Sequence, residues 1–107
     1  MTEAITPEWS GPGEEGGAGT RFHEIATRSF IFARIEMEPG AQLKSHVHPE
    51  EQLFYVLEGN LKYSVGGSTH DIGPGELIFV PANTEHGGVA DPKTGAVFLE
   101  AKESIAR

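Results

Sequence analysis

The chain has 107 residues and a formal charge of -8, from 16 acidic against 8 basic residues; this length suits one domain, and this charge argues against a nucleic-acid backbone or an anionic membrane as partner. It has no cysteine, which excludes disulfides and thiolate metal sites, and no apolar run approaching the roughly 18 residues a membrane helix needs. With no basic-then-apolar segment at the N-terminus, the expectation is a soluble cytoplasmic protein without nucleic-acid or membrane partners.

Residues 1–20 are read as an N-terminal arm and residues 21–107 as the folded domain. The stretch Ser10 to Thr20 is rich in Gly, Pro and Glu and offers almost no side chains to bury, so it is expected to be a flexible arm or long loop. Trp9 is the exception, an indole suited to anchoring the arm on the domain or on a partner subunit. From Arg21 onward, short apolar runs alternate with Gly, Pro, Asn and Asp, which is the rhythm of an all-β protein.

Residues 29–37 set Ile31, Ala33, Ile35 and Met37 against Phe30, Phe32, Arg34 and Glu36, a strand with apolar groups on both faces that ends at Glu38-Pro39-Gly40. Leu53 to Leu57 turns at Glu58-Gly59-Asn60 into Leu61 to Val65. A tight hairpin at Gly66-Gly67 leads to Ser68 to Ile72, since paired glycines supply the positive φ of two-residue loops. Gly73-Pro74-Gly75 opens the strand Glu76 to Val80, and Asp91 to Gly95 turns into a last strand, Ala96 to Ala101. Eight to ten short strands without a convincing amphipathic helix predict an antiparallel sandwich or barrel.

The chemistry concentrates in Ser45-His46-Val47-His48-Pro49-Glu50-Glu51-Gln52, with His86 following 34 residues later. Side chains alternate along a strand, so His46, His48 and Gln52 share a face if the strand resumes cleanly after Pro49. Two imidazoles with an amide oxygen suit Zn, Ni, Fe, Mn or Cu, and a site for one divalent transition metal is the leading reading. Glu51 is the competing ligand, because a bulge at Pro49 would shift the phase by one residue. Parity continues inward through Phe54 and Val56 as pocket-lining residues and outward through Tyr55 and Leu57. Gln42 and Lys44 share parity with His46, and Arg34 reaches from a neighbouring strand, so these three are candidates for the pocket wall. A solvated strand face is the alternative for each. His23 and His70 each stand alone and are assigned to the surface or rim.

Two ordered motifs make the chain resemble the cupin superfamily. Gly40, five residues, His46-Val47-His48, three residues, Gln52, six residues and Gly59 match the first family motif, with Gln in its Glu position. Gly75, five residues, Pro81-Ala82-Asn83, two residues, His86, three residues and Ala90 match the second, with Asn83 in a Gly position and Ala90 in an Asn position. The resemblance implies an antiparallel double-stranded β-helix, or jelly-roll barrel, with His46, His48, Gln52 and His86 as ligands of one divalent metal. Asn83 is the least costly replacement for Gly, since it tolerates a left-handed backbone.

Gln52 in place of Glu leaves the metal its full dipositive charge, which favours Lewis acidity over higher oxidation states. The expected function is non-redox chemistry on a small oxygenated compound with a carbonyl, enol or uronate-like unit: an isomerase, lyase or cyclase. An O₂-dependent dioxygenase on the same site, or a metal-stabilised ligand-binding or sensor module without turnover, are the alternatives. The outer apolar residues Phe30, Phe32, Tyr55 and Leu57 suggest a homodimer, with the arm that carries Trp9 lying across its interface.

Overall fold

A computed structural model describes residues 14–104; Trp9 and the rest of residues 1–13 lie outside them, as do residues 105–107. Every regular element among the described residues is a strand: β1 (Glu14–Gly17), β2 (Thr20–Ala26), β3 (Phe30–Met37), β4 (Gln42–His46), β5 (Gln52–Gly59), β6 (Leu61–Val65), β7 (Ser68–Ile72), β8 (Leu77–Val80), β9 (His86–Ala90) and β10 (Ala96–Glu103). They form two antiparallel sheets, one ordered β1-β2-β3-β10-β5-β8 and the other β4-β9-β6-β7, which face each other as a jelly roll.

The Gly-rich segment expected as an arm differs in part. Residues 14–17 form β1, paired with β2 from Glu14↔Phe22 to Gly17↔Thr20 across a bulge, and Thr20 itself opens β2. A strand ladder is made of backbone N–H and C=O groups, so a segment poor in buriable side chains still extends a sheet.

The inner face of the larger sheet is a ladder of side-chain rungs set by register. Phe22, Ile35, Phe98 and Val56 form one rung; Glu24, Ala33, Glu100 and Phe54 form the next; and Ile31, Lys102 and Gln52 form the one after that. The alternation predicted for β3 and β5 holds, with Ala33, Ile35, Met37, Gln52, Phe54 and Val56 buried. Across from them the smaller sheet contributes Leu61, Tyr63, Ile72 and Ala90, and the two inner faces close into one apolar core. Each fully buried large side chain in such a core contributes about 1.5–3 kcal/mol relative to exposure.

Turns hold the strands in register. Asn83 takes φ +55°, the left-handed conformation expected of it, and its N–H donates to the His48 carbonyl at 2.9 Å, tying the loop after β4 to the turn before β9. In the turn before β10, the Asp91 carboxylate accepts hydrogen bonds from the Lys93 N–H (2.7 Å) and the Thr94 N–H (3.0 Å). These bonds hold Asp91 below the usual carboxylate range.

Such a group stabilises the folded state above the unfolded carboxylate pKa of about 3.9 and loses that contribution as pH falls through its lowered folded value. Asp91→Ala should therefore lower the melting temperature at pH 7, and the gap to the wild type should close as unfolding is followed down to about pH 2.

Candidate metal centre

His46 ends β4, His48 follows in the loop, Gln52 opens β5 and His86 opens β9, so four elements deliver one side chain each to the same end of the barrel. The imidazole centroids of His46 and His86 are 4.2 Å apart, those of His48 and His86 4.6 Å, and those of His46 and His48 5.3 Å. One ring nitrogen from each lies within 4.8 Å of the others, a group that could hold a metal ion.

The three rings are oriented by the same device. Nδ1 of His46 donates to the Lys44 carbonyl (2.8 Å), Nδ1 of His48 to the Glu50 carbonyl (3.0 Å) and Nδ1 of His86 to the Thr84 carbonyl (2.7 Å). A backbone carbonyl only accepts, so each bond fixes the proton on Nδ1 and leaves the Nε2 lone pair available, as a metal-ligating histidine requires.

Two features show that the donor set fits a cation. His86 is 1% exposed and its Nε2 has no hydrogen-bond partner among the described residues. Nε2 of His48 lies 3.0 Å from Oε1 of Gln52, which sets two acceptors against each other unless a positive charge is shared between them. Burial lowers the His86 pKa from its ordinary value, ahead of the opposing bond to Thr84, and so favours the neutral form that ligates.

Gln52 is buried and shares this end of the barrel, whereas Glu51 is exposed on the opposite side, with its backbone N–H bonded to Glu103 Oε1 at 2.9 Å. Phe54 joins the cavity wall beneath Gln52, but Val56 lies a rung deeper, fully buried in the core and away from the wall.

Gln42, Lys44 and Arg34 do not line this cavity. Between the pairs Leu43↔Gly88 and His46↔His86, Lys44 and Ser45 together face the single residue Gly87, a β-bulge that shifts the phase of β4. Leu43 and His46 therefore both turn inward, and Gln42 and Lys44 are exposed. Arg34 stands on the outer face of β3 and pairs there with Glu36, two residues along the same face. His23 sits on the outer face of β2, half-buried, and His70 is exposed on β7.

The cavity, of about 340 Å³, is bounded by His46, His48 and Gln52 at one end and includes Leu43, Phe54 and Tyr63 along its wall. Its charged strip comes from residues that sequence reasoning passed over, Glu24 on β2 and Glu100 and Lys102 on β10. Inward parity running from Phe98 through Glu100 to Lys102 was the signal that could have found the last two. The Glu100 carboxylate lies 4.0 Å from Lys102 Nζ, and the nearby Gln52 side chain also favours its charged form. Burial raises its pKa above the ordinary carboxylate value, against the opposing effects of Lys102 and Gln52.

The Cupin domain family model matches residues 33–101, which spans both histidine motifs and the strand that carries Glu100. The chain belongs to the cupin family. Among curated proteins, this cupin is similar to the dimethylsulfoniopropionate lyase DddW of Ruegeria pomeroyi, 34% identical over 70 residues that cover 65% of this chain and 46% of that protein. It is also similar to the quercetin 2,3-dioxygenase of Bacillus subtilis, 31% identical over 84 residues that cover 72% of this chain and 25% of that protein. The cupin thus spans half or less of either relative's length. A solved RmlC-like cupin from Shewanella frigidimarina superposes with a TM-score of 0.84 at 23% identity, over 99% of this chain and 95% of that one. Relatives of this cupin thus include a lyase and a dioxygenase, and its three histidines could bind a metal.

Zn²⁺ should raise the melting temperature of metal-free protein. The increment should shrink as pH falls below about 6.5, where free imidazoles protonate. His46→Ala, at an exposed position, should leave apo stability near wild type and weaken Zn²⁺ binding by more than the roughly 10–100-fold that loss of a ligand's supporting hydrogen bond costs, measured by competition with a chromogenic chelator. A second variant tests the bulge. A Cβ at Gly87 would stand 2.8 Å from the Leu43 carbonyl oxygen and from Ser45 N and Cα. Gly87→Ala should destabilise by about 1–3 kcal/mol in chemical denaturation and also weaken Zn²⁺ binding, because His46 is aimed by the bulge.

Proposed function

We propose that this cupin is a metal-dependent enzyme of non-redox chemistry, a lyase or isomerase acting on a small carboxylate-bearing compound. The observation that carries the reading is Gln52, which lies 3.0 Å from His48 Nε2 through Oε1 while its side chain also favours the charged form of Glu100. A neutral amide in that position leaves the negative charge on Glu100, where it serves as a base, and none on the ligand set. The identity with DddW, named a lyase, supports this reading.

His46, His48, His86 and Gln52 would hold a divalent ion, which would supply Lewis acidity toward a substrate oxygen and so make the adjacent C–H more acidic. The chain's own groups complete the reaction. Lys102, the cation among the lining residues, binds the substrate carboxylate at the mouth, and Phe22, Ile35 and Phe54 exclude water from the reacting carbons. Glu100 takes the α-proton. In elimination, the C–H electron pair forms the C=C bond while the bond to the β-substituent breaks with its own pair. In isomerisation, Glu100 returns the proton to the other end of the unsaturated system. The raised pKa of Glu100 strengthens it as a base near neutral pH.

We take the working assembly to be a cytoplasmic homodimer joined through the outer face of the six-stranded sheet. Leu53, Tyr55 and Leu57 on β5 and Leu77 and Phe79 on β8 are exposed there, which is an unusual apolar surface for a monomer with a charge of -8.

The test combines metal analysis of protein purified without a chelating resin with turnover assays on β-substituted carboxylates and unsaturated uronates. Glu100→Gln should lower kcat by about 10²–10⁴-fold with metal content unchanged. Oxygen uptake at catalytic rates by the Fe(II) form with flavonols or diketones would instead establish dioxygenase chemistry, the reading favoured by the identity with quercetin 2,3-dioxygenase.

A further inference from the structure

Two hydroxyls in the cavity wall are buried without a partner. Tyr63 on β6 is 0% exposed and Thr20 on β2 3%, and neither Tyr63 OH nor Thr20 Oγ1 meets a hydrogen-bonding group among the described residues. Both residues line the cavity that the histidines close. Folded proteins seldom leave buried hydroxyls unsatisfied, since each loses its water without compensation.

The Tyr63 ring is held in place. It packs edge-on against Phe54 with centroids 5.1 Å apart, and it covers Gly88, where an added Cβ would lie 2.6 Å from Tyr63 Cδ1. Phenylalanine would make the same contacts, so the hydroxyl contributes nothing to this packing. Burial and the nearby Glu100 raise its pKa, which keeps the phenol protonated as a donor.

Register sets its distance from the metal centre. His86 pairs with Val65 and Gly88 with Tyr63, so Tyr63 lies one rung below the histidines. The Tyr63 and His86 ring centroids are 6.1 Å apart, which places the phenol within reach of a short compound that also meets the histidines.

We propose that Tyr63 forms an oxygen-binding subsite beneath the histidines, with Thr20 a second hydroxyl farther along the same cavity wall, which selects short dicarboxylates or hydroxy acids by hydrogen-bonding the oxygen remote from the metal. The proposal rests on the reading of the cavity as a metal site, where the first substrate oxygen is held, and it assigns to Tyr63 a specificity role distinct from proton transfer by Glu100.

The experiment uses the full chain with Tyr63→Phe and, as an independent probe, Thr20→Val. Melting temperatures of the metal-free proteins are compared first. Co(II)-loaded samples are then titrated with acetate, malonate and succinate, following the visible Co(II) bands. Tyr63→Phe should match or exceed the wild-type melting temperature and hold Co(II) equally. It should bind acetate, which has no remote oxygen, with unchanged Kd and bind the better dicarboxylate about tenfold more weakly, as expected for one neutral hydrogen bond. Thr20→Val should show the same selectivity to a smaller degree. A melting temperature several degrees lower, equal weakening of acetate and dicarboxylates, or no weakening of either would overturn the subsite. Wild-type protein that takes up no Co(II) would overturn the metal reading, and the subsite with it.

Discussion

The constraint on which this structure turns is the three-fold repetition of one hydrogen bond, from imidazole Nδ1 to a carbonyl two residues away. Each bond is local, so each ring is oriented by its own segment and not by its neighbours. The consequence is collective: three Nε2 lone pairs and the Gln52 oxygen converge as a cluster of acceptors. Acceptors brought together in a partly desolvated place repel unless a cation or protons intervene. The folded state thus carries a local conflict at this end of the barrel, of the kind that marks functional sites in otherwise self-consistent sequences.

The barrel makes that convergence possible through two departures from regular strand geometry. The bulge at Lys44-Ser45 turns His46 inward beside Leu43, and it can press so closely on β9 only because residue 87 is glycine. The N–H of Asn83, in its left-handed turn, then pins the His48 loop to the approach to β9. Neither device involves the ligands' own side chains, yet both decide where the rings stand. The apolar core beneath supplies the rigidity, with Tyr63, Phe54 and Phe98 packed edge to face.

Where the determinants are local, the sequence was legible. Strand alternation along β3 and β5, the hairpin at Gly66-Gly67, the Asp91 turn and the spacing of the two histidine motifs all depend on residues within a few positions of each other, and the fold class and the meeting of the histidines follow from them. Parity failed across β4, because a bulge is invisible to alternation and only the partner strand reveals it, so Gln42 and Lys44, candidates for the wall by parity, stand on the solvated face that was their alternative. Arg34 failed differently: the side of β3 it occupies is decided by which face packs on the smaller sheet. Glu100 and Lys102 were missed because their inward direction becomes apparent only once Phe98 is placed opposite Ile35 and Val56.

Those two residues alter the meaning of Gln52. In sequence, Gln52 reads as a ligand made neutral for the benefit of the metal. In the barrel it also lies beside Glu100, a half-buried carboxylate already above its ordinary pKa. A glutamate at position 52 would set two carboxylates against each other in a low-dielectric cavity, and one would be forced to keep its proton. The amide removes that competition: its oxygen faces His48, its side chain favours the charged form of Glu100, and only one of the two positions carries a negative charge. In the proposed reaction, a neutral ligand set and a charged base both depend on the amide at position 52.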